Sequence, residues 1–332
     1  MKKVLVTGGA GYIGSHTIVE LFNSGYTPVI IDNLCNSSLR NIKGISKILK
    51  TKIKWYNIDC CNQNLINNIF SKENNIKAVI HFAAYKSVEE SIKYAEKYHE
   101  NNIGSLNTIL KAMKQHDIYN IIFSSSCTVY GNPTSLPIKE NAQFKKAESP
   151  YAETKQICEN ILENDNCNSI SLRYFNPIGS HASSLIGDCS KDNATNLIPI
   201  LSQVAAKEVE YVTVNGNDYN TPDGSCIRDY IHVEDVANAH VKSLNYLLKN
   251  PGKYSFNVGT GYGTSVLEAI KQFELANNIK IKYQIGKKRI GDIEEIYADC
   301  SLIMGKLNWK AKKNIKEAMI DAWNWKKKYY KG

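Results

Sequence analysis

The sequence predicts an α/β protein: a doubly wound parallel sheet followed by a smaller α/β domain. Three observations lead there. Short apolar runs alternate with helix-like stretches through about residue 176, the pattern of a parallel sheet with helices on both faces. The first run, Val4-Leu5-Val6-Thr7, flows into Gly8-Gly9-Ala10-Gly11-Tyr12-Ile13-Gly14 and then into the helix-like Ser15 to Phe22, giving strand, glycine turn and helix. The second run, Pro28-Val29-Ile30-Ile31, ends in an acid, Asp32.

The remaining elements follow in order. After Asp32 come a helix over Leu39 to Lys50, a strand Ile53 to Ile58 ending at Asp59, and a helix leading to the strand Ala78-Val79-Ile80-His81-Phe82. Glu89 to Met113 reads as predominantly helical, and Ile121-Ile122-Phe123 as a strand that ends in Ser124-Ser125-Ser126. Ser149-Pro150 supplies an N-cap and a first-turn proline for the helix carrying Tyr151, and Ile170 to Tyr174 is the next strand. Pro177 to Asn196 reads as one long irregular loop, a length that is often functional. Shorter pieces follow: a strand at Tyr211 to Val214, a turn-rich stretch from Asn215 to Gly224, a helix from Val233 to Leu248 and a strand from Ser255 to Val258.

The glycines at 8, 11 and 14 allow a tight turn, a close approach of backbone to a pyrophosphate and close packing of helix on strand. The helix N-terminus then receives the phosphates. Asp32 stands where a carboxylate binds the ribose 2′-hydroxyl, and an acid there repels a 2′-phosphate, so NAD is expected rather than NADP. Ligands of such sheets lie beyond the carboxyl ends of the strands. That rule gathers Gly8 to Gly14, Asp32, Asp59, Phe82 to Lys86, Ser124 to Thr128 and Phe175-Asn176 around one crevice. The expected division is therefore 1–176 as an NAD-binding domain and 177–332 as mainly a substrate domain, with segments that can return to the first.

Tyr151 and Lys155 lie four residues apart and share a helix face. A free phenol has a pKa of about 10. A neighbouring ammonium and the positive end of the helix both favour the phenolate, a general base. In a chain with 20 tyrosines the spacing also arises by chance, and taken alone it reads first as an ordinary amphipathic helix; the rest of the sequence, the glycine turn above all, selects the chemical reading.

Composition narrows the class. The chain has 332 residues, enough for one large or two modest domains. No stretch is apolar for the length of a membrane span, and the aliphatic run after Met1-Lys2-Lys3 meets Gly8-Gly9 too soon for a signal peptide. Nine cysteines, an odd count without a Cys-x-x-Cys pair, suit reduced thiols in the cytoplasm. No metal site is apparent. The net charge of +9 is spread along the chain, with short clusters at Lys287-Lys288-Arg289 and Lys326-Lys327-Lys328; without a basic-aromatic module it does not imply nucleic acid.

Further phrases give the sequence a specific likeness. They are Asp32-Asn33-Leu34-Cys35-Asn36-Ser37, His81-Phe82-Ala83, Ser124-Ser125-Ser126 with Thr128-Val129-Tyr130-Gly131, Ser149-Pro150-Tyr151, Arg173-Tyr174-Phe175-Asn176-Pro177, Gly216-Asn217-Asp218-Tyr219 and Ile227-Arg228-Asp229-Tyr230-Ile231-His232-Val233. With the glycine turn, they make the chain resemble the extended short-chain dehydrogenase/reductase family, and within it the UDP-glucose 4-epimerases, over nearly its whole length. The resemblance implies a Rossmann fold, bound NAD, a UDP-hexose substrate and a homodimer. It implies Tyr151, Lys155 and Ser126 as the catalytic set. Tyr151 would take the proton of the C4 hydroxyl while hydride passes to NAD, and the 4-keto sugar would turn over before hydride returns to its other face.

The resemblance also implies two binding sets. The cofactor set is Gly8, Gly11, Tyr12, Ile13, Gly14, Asp32, Asn33, Asn36, Ser37, Asp59, Cys60, Phe82, Ala83, Lys86 and Asn101, with Tyr151, Lys155 and Phe175. The UDP-sugar set is Ser126, Tyr151, Asn176, Asn196, Leu197, Arg228, Arg289 and Asp292, in which guanidinium groups suit a diphosphate; Asp292 has the alternative of pairing with Arg289. His81, His181 and His232 read as structural.

Two positions depart from the family pattern. Asn215 stands where relatives usually carry phenylalanine, and the position that gates room for an N-acetyl group falls at Ile296, or at Tyr297 if the register slips by one. UDP-N-acetylhexosamines therefore stay open as substrates. A 4,6-dehydratase is disfavoured because Cys127-Thr128-Val129 lacks its acid and base. A simple ketone reductase would not need the UDP anchors, and a silent NAD-sensing module would not need an intact Ser126, Tyr151 and Lys155.

Overall fold

In the computed structural model, residues 2–190, 195–289 and 292–330 are described. The first part of the chain runs β1 (Lys3–Thr7), α1 (Tyr12–Asn23), β2 (Thr27–Ile31), α2 (Leu39–Leu49), β3 (Lys54–Tyr56), α3 (Gln63–Lys72), β4 (Ile76–His81), α4 (Val88–Lys93), α5 (Ala95–Tyr98), a π-helical turn (His99–Ile103), α6 (Gly104–Gln115), β5 (Asn120–Ser126), α7 (Pro150–Asn164) and β6 (Asn168–Tyr174). The rest runs β7 (Asn176–Ile178), α8 (Leu197–Ala205), β8 (Val212–Asn215), β9 (Ile227–Arg228), β10 (Tyr230–His232), α9 (Val233–Leu247), β11 (Lys253–Val258), β12 (Thr264–Ser265), α10 (Val266–Asn277), β13 (Tyr283–Gly286), β14 (Glu295–Ile296), α11 (Ser301–Leu307) and α12 (Ile315–Tyr330).

Seven strands form a parallel sheet in the order β11-β6-β5-β4-β1-β2-β3. The direction of winding reverses at β1, so the carboxyl ends of β1 and β4 flank the switch point where ligands of such sheets bind. Side chains alternate across the sheet. Val4 and Val6 join Ile18, Leu21, Val236 and Leu244 in a core under α1 and α9. Leu5, Val29 and Ile31 join Ile66, Phe70, Leu106 and Leu162 in a second core under α3, α6 and α7. Each fully buried aliphatic side chain contributes about 1.5–3 kcal/mol. A third cluster, around Leu201, Val212, Val214, Phe273 and Met319, holds α8, β8, α10 and α12 together. Both α9 and β11 come from the second half of the chain, yet α9 packs on α1 and β11 pairs with β6.

The structure differs from the sequence expectation at three places. The third strand is shorter than Ile53 to Ile58, because β3 is the sheet edge and pairs with β2 through three residues alone. The helix expected over Glu89 to Met113 breaks at Tyr94, where φ is −133° and ψ 55°, and widens into the π turn. Such turns often mark functional sites. The loop expected from Pro177 to Asn196 begins as strand, since β7 lies parallel to β10; residues 191–194 of that loop lie outside the described residues.

At the end of the sheet away from the site, Glu73 ties two strands together. Its side chain has no exposure; it accepts from Lys3 Nζ at 2.8 Å and the Tyr56 hydroxyl at 2.6 Å, and pairs with Lys54. Burial raises its pKa, but these hydrogen bonds outweigh burial and hold the carboxyl at about 2 against an ordinary 4.5. The native pKa is depressed, so the contribution to stability is full above the unfolded value and vanishes as pH falls through the native one. Glu73→Gln is expected to cost about 1–3 kcal/mol at pH 7. In urea unfolding the gap to the parent should close between about pH 4.5 and 2; a constant gap would contradict the assignment.

Candidate active site

A cavity of about 1110 Å³ opens beyond the carboxyl ends of β1, β2, β4, β5 and β6, and is lined on its far side by α8, β8 and α12. Every cofactor, substrate and catalytic residue named from the sequence lines it.

The glycine turn forms one wall. Gly8 has φ +66°, and a Cβ there would lie 2.8 Å from the Ala83 amide nitrogen, so a side chain would force the turn away from the end of β4. At Gly14 a Cβ would meet the Gly8 carbonyl oxygen at 2.3 Å. Helix α1 starts at Gly11, which offers no side-chain cap, and its first turn carries no acid. Its orphan N–H groups thus belong to Tyr12, Ile13 and Gly14, which line the cavity. An uncapped helix start of this kind suits a pyrophosphate.

The adjoining loops are ordered by their own acids. Asp32 is buried and accepts from Ala10 N at 2.9 Å, Leu34 N at 2.9 Å and Ser37 Oγ at 2.7 Å, which fixes the carboxylate at the lip of β2. Asn33 donates to Asp59 at 3.0 Å, so these two cavity residues hold each other. Burial pushes the Cys60 thiol well above its ordinary pKa, and it stays neutral. Asn36, Phe82, Ala83 and Lys86 complete that side, and the π turn brings Asn101 to the cavity while Asn102 is buried against Tyr85 and Thr154. The uncapped turn, the fixed acid and the size of the cavity fit a dinucleotide.

The three catalytic candidates meet at the floor. Ser149 Oγ accepts from Ala152 N at 3.2 Å, with Pro150 in the first turn of α7, so Tyr151 stands at the helix start. One turn later Lys155, 3% exposed, donates from Nζ to the carbonyl of Ser124 at 2.7 Å. Its Nζ lies 4.8 Å from the Phe123 ring centroid and 5.8 Å from that of Tyr151. Ser126 ends β5; its Oγ accepts from Thr128 N at 3.3 Å, and its contact with the Tyr151 hydroxyl lowers the phenol pKa.

The electrostatics correct one expectation. Tyr151 keeps a face open to the cavity but sits deep among protein atoms, and burial pushes its pKa up to about 12, which outweighs the hydrogen bond from Ser126. Burial also pulls Lys155 down to about 8, only partly offset by Cys158 and Glu159. In the protein by itself, therefore, the ammonium and the helix terminus do not bring the phenol below its ordinary value, because burial outweighs them.

At the opposite end lie Phe175, Asn176, Asn196, Leu197, Arg228, Arg289 and Asp292. Arg228 Nη1 donates to its own strand at Ile227 O, at 2.9 Å, and Nη2 pairs with Asp292 at 3.4 Å. Asp292 thus pairs with Arg228 rather than with Arg289. Arg289 Nη1 lies 3.7 Å from Glu89 on α4, across the cavity mouth. With the Asn215 amide oxygen turned to the guanidinium, it accepts from Arg289 Nε at 2.9 Å and Nη2 at 3.1 Å. Ile296, 2% exposed, lines the cavity, whereas Tyr297 packs against Gly263.

The histidines are structural. His81 is within 2.8 Å of Thr7 Oγ1, and burial, then the charge of Lys155, lowers its pKa to about 3. His232 caps α9 by accepting from Glu234 N, and His181 bonds within its own loop to Ser183.

Sequence reasoning named Ser124 and Asn215 without assigning the contacts they make, and missed Glu89. Ser124 acts through its carbonyl, which no side-chain motif reveals. Glu89 and Asn215 reach Arg289 from distant segments. Behind the floor, Arg173 donates to both Glu159 oxygens and to the Tyr130 hydroxyl, and Ser125 Oγ also bonds Glu159; the Glu159 position, four after Lys155, is its one sequence signal.

Residues 4–259 match the NAD dependent epimerase/dehydratase family. The chain is 45% identical over 330 residues to a UDP-glucose 4-epimerase of Dictyostelium discoideum, covering 97% of this chain and 95% of that one. To the enzyme of that name from Haemophilus influenzae it is 43% identical over 334 residues, covering 99% and 98%. Among solved structures, UDP-glucose 4-epimerase from Stenotrophomonas maltophila, with bound NAD and formylated UDP-arabinopyranose, superposes with a TM-score of 0.97 at 41% identity, covering 100% of this chain and 99% of that one. The Bifidobacterium longum enzyme, in complex with NAD+ and UDP, gives a TM-score of 0.95 at 41% identity with both chains fully covered. The glycine turn, the Tyr-Lys-Ser floor and these full-length likenesses together make the chain a member of the NAD dependent epimerase/dehydratase family, in its UDP-glucose 4-epimerase branch.

Proposed function

We propose that the chain interconverts UDP-galactose and UDP-glucose by inverting C4 of the hexose. One observation carries the reading: a single cavity joins the Tyr151, Lys155 and Ser126 floor to the guanidinium groups of Arg228 and Arg289 at its other end. Bound NAD supplies the hydride acceptor for C4 and a cationic ring that favours the ionised phenol. The chain does the rest. Tyr151 takes the proton of the C4 hydroxyl and later returns it, while Ser126 hydrogen-bonds the same oxygen and holds it toward the phenol. Lys155 adds a positive charge beside the phenol from a position fixed by Ser124.

Retention of the keto sugar needs a firm hold on the nucleotide and a loose one on the hexose. Arg228 and Arg289 suit the diphosphate, and Asn176, Asn196, Leu197 and Asp292 complete that end. Residues 1–176 with α9 and β11 form the cofactor half in this reading, and the remainder the substrate half. The reading includes a homodimer formed through the long helices of the first half. It also includes a cytoplasmic setting, which the nine free thiols support.

A second reading adds UDP-N-acetylhexosamines as substrates, and Ile296 favours it. This side chain is shorter than tyrosine and lines the cavity, leaving room for a larger C2 substituent.

Purified protein incubated with UDP-galactose and no added NAD is expected to yield UDP-glucose. Tyr151→Phe should lower kcat by about 10²–10⁴-fold; a variant as active as the parent would exclude the proton transfer. Ile296→Tyr should lower turnover of UDP-N-acetylgalactosamine about tenfold or more relative to UDP-galactose. An unchanged ratio would remove Ile296 as the gate.

A further inference from the structure

Residues 185–190 cross from the second half of the chain back over the glycine turn of the first. One side chain fastens them there. Asn41, fully buried on α2, donates from Nδ2 to the carbonyls of Ala10 and Gly187, both at 3.0 Å, and accepts from Gly187 N at 3.2 Å. A single amide thus bridges the backbone of the glycine turn and both backbone groups of Gly187.

The crossing segment is fitted closely on both sides. Beneath it, a Cβ at Gly44 would lie 2.1 Å from the Leu185 carbonyl oxygen, so α2 touches the segment where only glycine leaves room. Above it, a Cβ at Gly187 would lie 2.6 Å from the Trp325 ring, and Trp325 Nε1 donates to the Asp188 carbonyl at 3.3 Å. The Asp188 carboxylate then reaches Lys86 Nζ at 3.4 Å, on the lip beyond β4. Asp188, Cys189 and Lys86 line the same cavity as Gly11 and Tyr12. The segment is therefore a strap across the cofactor end of the cavity, fixed at Asn41 and Trp325 and closed by an ion pair.

We propose that Asn41 is a positioning residue that buckles this strap over bound NAD, so that the cofactor stays in place from one turnover to the next. Opening the strap leaves a buried amide and both Gly187 backbone groups without their partners, which makes opening rare. Retention depends on NAD binding alone and holds whichever sugar the enzyme takes.

The test loads the protein with NAD, removes the free cofactor and chases with excess isotopically labelled NAD, following exchange of bound cofactor by mass spectrometry. The parent should exchange over hours. Asn41→Ala should exchange at least about tenfold faster, and so should Gly44→Ala, which lifts the strap at Leu185 without touching Asn41. With NAD in excess, both should keep the parent's kcat and sugar KM. Glu73→Gln, which weakens the far end of the sheet, should exchange as slowly as the parent. Folded variants that exchange at the parent's rate would overturn the proposal. Equal acceleration in Glu73→Gln would also overturn it, by making exchange a matter of global stability. If Asn41→Ala does not fold, Gly44→Ala and Asp188→Asn decide the question by the same rates.

Discussion

The hydrogen bond from Lys155 Nζ to the Ser124 carbonyl is the contact on which the site depends. It ties helix α7 to strand β5 at the level where one presents Tyr151 and the other Ser126. Because β5 pairs with β6 through Ser126, the serine rides on a rigid edge, and because Ser149 caps α7, the tyrosine stands on a fixed first turn. Neither group needs a flexible loop to reach the other. A reacting oxygen placed between them meets a preformed pair.

Burying an ammonium beside a phenol carries an electrostatic cost that the surroundings divide. Burial pulls Lys155 down to about 8 and pushes Tyr151 up to about 12, so it works against the charged form of each. The pair is thereby poised to respond to an added charge, and a cation entering the cavity shifts it toward phenolate. Just behind, Glu159 and Arg173 neutralise each other, with Ser125 and Tyr130 satisfying their remaining groups. That arrangement places a compensated ion pair, rather than a loose charge, next to the reacting floor.

What was legible in the sequence was local. The glycine turn, the Ser149-Pro150 cap and the alternation of strands and helices rest on neighbours within a few residues, and the rule that ligands lie beyond strand ends then gathered one set of loops. What was not legible was set by contacts between distant segments. Pairing with β10 makes a strand of Asn176 to Ile178 despite its proline. Arg228 takes Asp292, leaving Arg289 to Glu89 and Asn215, and no spacing rule assigns those partners. The phenol pKa was misjudged for the same reason: the sequence showed the nearby cation and not the depth of burial.

The two ends of the cavity have different tasks, and the chain holds them differently. The cofactor end is roofed by a strap anchored on a buried amide, while the guanidinium groups of Arg228 and Arg289 line the far end. Such a division suits a cycle in which the cofactor stays, the nucleotide is gripped and the hexose turns. The direct test is the fate of the C4 hydrogen. With UDP-galactose deuterated at C4, the account predicts that the UDP-glucose formed carries the deuterium at C4 of the same molecule. Loss of the label to solvent would contradict it, because that outcome requires removal of the C4 hydrogen as a proton rather than its transfer and return as hydride.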